Sequence, residues 1–281
     1  MKRKKYVWPA IVVAAVVLGG CDKNDSSKDD ADLLYSESFI FSYAELPTQT
    51  QVEAAILEEP IPHETDPADL ERLRKADTQS ETAYSDVEFV LRTKLGTTQT
   101  IYHDLWGSGP FSDEEIEASA KFTELAKAND DLSYNRKGQG FGNCLYRKTK
   151  SLHVVSDRDY DAEHPAGTLL DDILDVMFWS AEDYLKSGYT SFFDYLGETT
   201  RSIYPERSDG AVVASEGPYM IESLVEFNQL QRTLIHFGFI FMPTQAPDRT
   251  GTHRFTITYT NEDGVELTGT TEPITILGAE K

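Results

Sequence analysis

Apolar and polar positions alternate most cleanly over the last third of the chain. Ile235, Phe237, Phe239 and Phe241 are separated by His236, Gly238 and Ile240, and Phe255, Ile257 and Tyr259 by Thr256 and Thr258. A two-residue period places one set of side chains on one face of a strand. Asn261-Glu262-Asp263-Gly264 then reads as a hairpin turn, its glycine suited to positive φ, before Val265 and Leu267, and Ile274 and Ile276 close the pattern. The same alternation marks Phe39, Phe41 and Tyr43, then Val87, Phe89 and Leu91, then Leu152 and Val154 within 150–155. Residues 98–102 are the expected partner of 87–91 across Gly96-Thr97, and Val225 and Phe227 the expected start of another strand. Strands at this spacing predict an antiparallel β-sandwich.

Helical signals are fewer. Ser112-Asp113-Glu114-Glu115 is a capping box, and Ala118, Phe122 and Leu125 supply the apolar stripe of a helix over 112–128. Asp66-Pro67 opens a short helix ending near Ala76. Residues 50–57 suit a helical turn or two. Leu170, Ile173, Leu174 and Met177 fit helical spacing within 169–187, although 176–179 reads equally as a buried strand, and Gly188 is placed to end whatever helix Ser180 starts. The expected fold is therefore mainly β, with α+β as the alternative: an antiparallel sandwich-like domain with helical insertions near 66–76, 112–128 and 169–187. Residues 35–281 form this domain, with 35–135 as an alternative separate helical/β subdomain.

The first twenty residues follow a different rule. Lys2, Arg3, Lys4 and Lys5 precede an apolar run over 10–18. As a helix that run reaches only about 14 Å, short of a bilayer core of about 30 Å, so 1–20 reads as a secretory signal rather than a span. Leu18-Gly19-Gly20-Cys21 at its end resembles a bacterial lipobox. The resemblance implies cleavage before Cys21 and acylation there (palmitate among the chains), hence a membrane partner and an outer-membrane or cell-surface location; the alternative is an ordinary signal with an incidental cysteine. Residues 21–34 are polar and acidic, a disordered tether. Lys28-Asp29-Asp30 within it resembles the surface-export signal of Bacteroidetes lipoproteins, the alternative being a plain spacer.

Charge narrows the partners. The formal net charge is −22, and losing the four leader cations takes it to −26. Such a chain repels nucleic acid, leaving cationic partners, divalent ions, neutral glycans and proteins. There are two cysteines. With lipid on Cys21, Cys144 has no intrachain partner, and the fold is held by packing.

The densest chemistry lies in 156–172. Asp157, Asp159 and Asp161 alternate, with Glu163 next. Hard oxygens so spaced can surround a calcium ion, yet Ala162 and Thr168 stand where an EF-hand needs glycine and glutamate; the alternative is Asx-turn chemistry, the carboxylates bonding nearby backbone N–H groups. Asp171 and Asp175 would share a helix face as a carboxylate pair. Cys144 lacks any nucleophile signature, the six histidines show no zinc spacing, and Gly138, Gly140 and Gly142 precede no lysine-serine pair. Trp106, Tyr189, Tyr195 and Tyr204 lie in loop-like contexts where rings can stack on sugars. The phrase Asp159-Tyr160-Asp161, His164-Pro165-Ala166-Gly167, a leucine at 169 or 170 and an aspartate at 171 or 172 resembles a segment of Bacteroidetes lipoproteins, and implies no activity. No catalytic motif is complete. The expectation is a lipid-anchored envelope protein acting as a non-enzymatic binding or structural module for glycan or protein. A carboxylate-based hydrolase and a calcium-stabilised adhesion module are the alternatives.

Overall fold

In the computed structural model, which describes residues 37–46, 50–57, 81–94, 100–105, 110–135, 144–190, 208, 220–235 and 237–279, the alternating segments build a mainly β fold. The leader, Cys21, the tether, the 66–76 helix, Trp106, the 138–142 glycines, Tyr195, Tyr204 and His236 lie outside the described residues.

The strands are β1 (Ser42–Glu45), β2 (Val52–Ile56), β3 (Glu81–Thr82), β4 (Phe89–Thr93), β5 (Thr100–His103), β6 (Cys144–Leu145), β7 (Thr149–Ser156), β8 (Leu174–Phe178), β9 (Met220–Ser223), β10 (Gly238–Pro243), β11 (Gly251–His253), β12 (Phe255–Asn261), β13 (Glu266–Thr270) and β14 (Ile274–Ile276). The helices are α1 (Asp113–Ala128), α2 (Glu182–Lys186) and α3 (Leu224–Phe227). Two antiparallel sheets, β2-β4-β10-β8-β9 and β13-β12-β7, pack face to face; the smaller sheets are β5-β1-β6 and β11-β14-β3.

Period-two alternation explains the packing. Phe89, Leu91, Val176, Phe178, Phe239 and Phe241 from the larger sheet meet Leu152, Val154, Phe255, Ile257, Tyr259 and Leu267 from the smaller one. Phe89 stacks on Phe255 at 4.5 Å and on Phe241 at 5.3 Å. At the sandwich margin, a Cβ on Gly269 of β13 would lie 3.0 Å from Ala54 N and 3.0 Å from Leu91 Cδ1, so only glycine allows so close an approach. A second core joins β1, α1, β6 and α2 through Phe39, Ile40, Tyr43, Phe122, Leu125, Cys144, Tyr184, Tyr189 and Ile235.

The capping-box helix is α1, with Ser112 and Glu115 bonded reciprocally, and the Asn261–Gly264 turn joins β12 to β13 with Gly264 at φ 80°. Four expectations are corrected. The 169–187 stretch holds a 3-10 turn (Asp171–Ile173), β8 and only the five-residue α2. β8 is buried at every position because the larger sheet has apolar residues on both faces, and this mimics helical spacing. Residues 52–56 are strand, paired with β4. β5 pairs with β1 rather than with β4. Leu224–Phe227 is helical, capped by the Ser223 side chain on Glu226 N. β2 and β4, from within 35–135, belong to the larger sheet.

Candidate functional site: the carboxylate–histidine loop

β7 runs straight into the acidic loop at Asp157, and the loop returns along that strand's outer edge. Leu170 N donates to Val154 O at 2.9 Å and Gly167 N to Ser156 O at 2.8 Å. Gly167 has φ 79°, so a glycine is needed at the Pro165-Ala166-Gly167 bend. The Thr168 hydroxyl and N–H both donate to Pro165 O. The edge is closed further by Asn228, which accepts from Leu152 N at 2.8 Å and donates to Leu152 O at 2.7 Å as a neighbouring strand would.

Each carboxylate of the loop faces a different donor. Asp157 Oδ1 accepts from Arg254 N, and Asp159 Oδ1 from Ala166 N, both at 2.8 Å. Asp161 Oδ1 accepts from Glu163 N at 2.8 Å and His164 N at 2.9 Å, and lies 2.7 Å from His164 Nδ1; its Oδ2 takes the Gln245 amide at 3.0 Å. The other ring nitrogen, His164 Nε2, is 3.0 Å from Asp172 Oδ1. Next to it, Asp171 Oδ2 lies 2.7 Å from His153 Nδ1, and Oδ1 accepts from Val154 N at 3.2 Å. Asp171 and Asp172, adjacent in sequence, thus each meet a different histidine.

The electrostatics follow from these contacts. Burial alone would lower the His164 pKa, but its bonds to Asp161 and Asp172 outweigh burial and raise it. Burial alone would raise that of Asp161; the His164 and backbone donors outweigh it, and the carboxyl is held low. The arrangement is an imidazole ring clamped between two carboxylates, suited to fixing a loop.

The structure therefore places the calcium candidates Asp157, Asp159 and Asp161 at three separate backbone donors, while Glu163 contributes its N–H. Among the described residues no group of three or more His, Cys, Asp or Glu is placed to hold a metal. Asp171 and Asp175 do not share a helix face: Asp175 is fully buried on β8 and accepts from Ser208 N and Oγ at 2.8 and 2.7 Å. Cys144 is fully buried in the second core, where burial pushes its thiol pKa up, away from reactivity. Tyr189 is buried too, its hydroxyl donating to Asp131.

Several residues escape sequence reasoning. Asp131, fully buried, accepts from Phe39 N and Ile40 N at 2.8 Å and from the Tyr189 hydroxyl at 2.9 Å, tying the start of the fold to the end of α1. Burial raises its pKa to about 6. Arg232 is buried against the rings of Phe178 and Phe227 and paired with Glu222. An open groove lies where the chain's end meets the β10–β11 connection, lined by Ala83, Tyr84, Ala246, Arg249, Thr250 and Leu277 with the 278–279 backbone. Among the described residues no carboxylate, histidine or cysteine lines it.

Comparison of the chain with protein-family models, curated proteins and solved structures finds no match.

Proposed function

We propose that this is a lipid-anchored protein of the outer membrane or cell surface, held by acyl chains on Cys21, whose β-sandwich is a non-enzymatic binding or structural module for glycan or protein. The observation that carries the reading is the groove at Tyr84. It offers a ring, an aliphatic wall in Leu277 and one cation in Arg249, with no acid–base pair among its lining residues. A ring beside a guanidinium suits stacking and hydrogen bonding to a sugar or an extended peptide. The loop carboxylates, the other polar concentration, are engaged in holding their own backbone.

Two experiments test this. Cys21→Ser is expected to abolish incorporation of labelled palmitate and to release the protein from the membrane with its melting temperature unchanged; lost domain stability would mean that Cys21 bonds Cys144. Among the described residues no helix is long and apolar enough to cross a membrane. Retention on envelope glycan and on envelope protein is expected to fall at least about tenfold in Tyr84→Ala, the loss of roughly 1.5 kcal/mol of stacking contact. Consumption of either material at a rate lost in Tyr84→Ala would instead favour an enzyme.

A further inference from the structure

We propose that the 157–172 loop is a pH-operated latch, in which protonated His164 ties the loop's tip to its root through Asp161 and Asp172, and loss of that proton frees the tip. The geometry demands the proton. Both ring nitrogens face carboxylate oxygens, at 2.7 and 3.0 Å. A carboxylate only accepts, and a neutral imidazole has one donor and one acceptor, so only imidazolium satisfies both contacts. The His164 side chain is 7% exposed, so little water reaches the ring while both contacts hold.

The two partners are unequal. Asp161 belongs to the tip and keeps two backbone donors and Gln245 whatever His164 does. Asp172, at the root within the 3-10 turn, is 62% exposed. On deprotonation Nδ1 retains its hydrogen toward Asp161, and the Nε2 lone pair is left facing Asp172. That contact becomes repulsive, and the exposed carboxylate turns to water. Asp161 and Asp172 are the charged groups acting on the ring; Gln245, from the segment after β10, is neutral. Glu163 flanks the ring in sequence and is exposed.

The tip covers something. Tyr160 N donates to His164 O, the Tyr160 hydroxyl donates to Gln245 O, and its ring packs 5.4 Å from that of His253. His253 is buried, bonded to Ser156 through Nδ1 at 3.0 Å, with no hydrogen-bond partner at Nε2. Freeing the tip loosens Tyr160 and opens this face. His164, with its raised pKa, stabilises the closed loop below the ordinary histidine value of 6.5, and the contribution is lost as pH rises through the raised value. Asp161, held low, keeps its contribution above the ordinary 3.8 and loses it as pH falls through the depressed value. The latch is closed between these limits.

Amide hydrogen exchange and a His164 NMR titration on the full chain in detergent test it. Corrected for intrinsic exchange, the amides of Tyr160, Gly167 and Leu170 should lose about tenfold in protection along the His164 titration, as expected for one charge-assisted bond, while β12 amides stay flat. Asp172→Asn, which alters an exposed group, should lower the His164 pKa and move the loosening to lower pH with it. His164→Gln should leave the loop loose at every pH. Loop protection that stays constant across the His164 titration, or an Asp172→Asn protein that keeps the wild-type pH dependence, overturns the latch.

Discussion

Asp131 shows what one side chain does here. It is a buried carboxylate held by two backbone N–H groups and a phenol from segments far apart in sequence. Asp131→Ala leaves those donors unsatisfied and is expected to cost about 2–4 kcal/mol in denaturant unfolding. The cost should depend on pH. With a folded pKa of about 6, raised from 3.8, protonation favours the folded state, so the wild type loses stability as pH rises between these values. The difference from Asp131→Ala should therefore be larger at pH 4 than at pH 7. Nothing in the sequence distinguished Asp131 from Asp130, which is exposed and turns the chain at φ 57°. The acidic loop was more legible. The Asx-turn alternative describes Asp161, which accepts from Glu163 N two residues on, whereas Asp159 reaches Ala166 N and Asp157 reaches Arg254 N on another strand; Gly167 stands where a bend must have positive φ. The partner that makes the clamp, His164, was visible only as part of a phrase, because its second carboxylate arrives eight residues later through a turn that periodicity does not encode.

At the level of elements, strands with one buried face were readable, while β8, buried on both, read equally as a buried strand over 176–179 and as helix. β12 and β13 alternate in burial as in sequence. β8, apolar on both sides, gave Leu170, Ile173, Leu174 and Met177 a false helical spacing, and the partner of β5 is set by the second core, where no local signal speaks. α3 was legible in principle: Ser223 and Glu226 have the capping-box spacing, and their side chains bond at 2.9 Å. The edge of β7 carries a prediction of its own. Asn228→Ala unpairs Leu152 from its side-chain neighbour, and is expected to cost about 1–2 kcal/mol and to bare part of a strand edge. Light scattering should show self-association at high protein concentration; a monodisperse variant of wild-type stability would mean that the loop alone seals the edge.

For the whole molecule, packing is what holds the described chain together: Cys144 is a free cysteine, fully buried in the second core. The two deepest of the described carboxylates, Asp131 and Asp175, accept from backbone N–H and hydroxyl donors. In the proposed function recognition falls to the groove at Tyr84. The most direct test compares two variants in one assay, equilibrium retention on envelope glycan and envelope protein. The account predicts that Tyr84→Ala loses at least about tenfold in retention while Asp172→Asn, at neutral pH, binds as the wild type does. Undiminished retention by Tyr84→Ala, with loss in Asp172→Asn, would contradict it and move the working surface to the acidic loop.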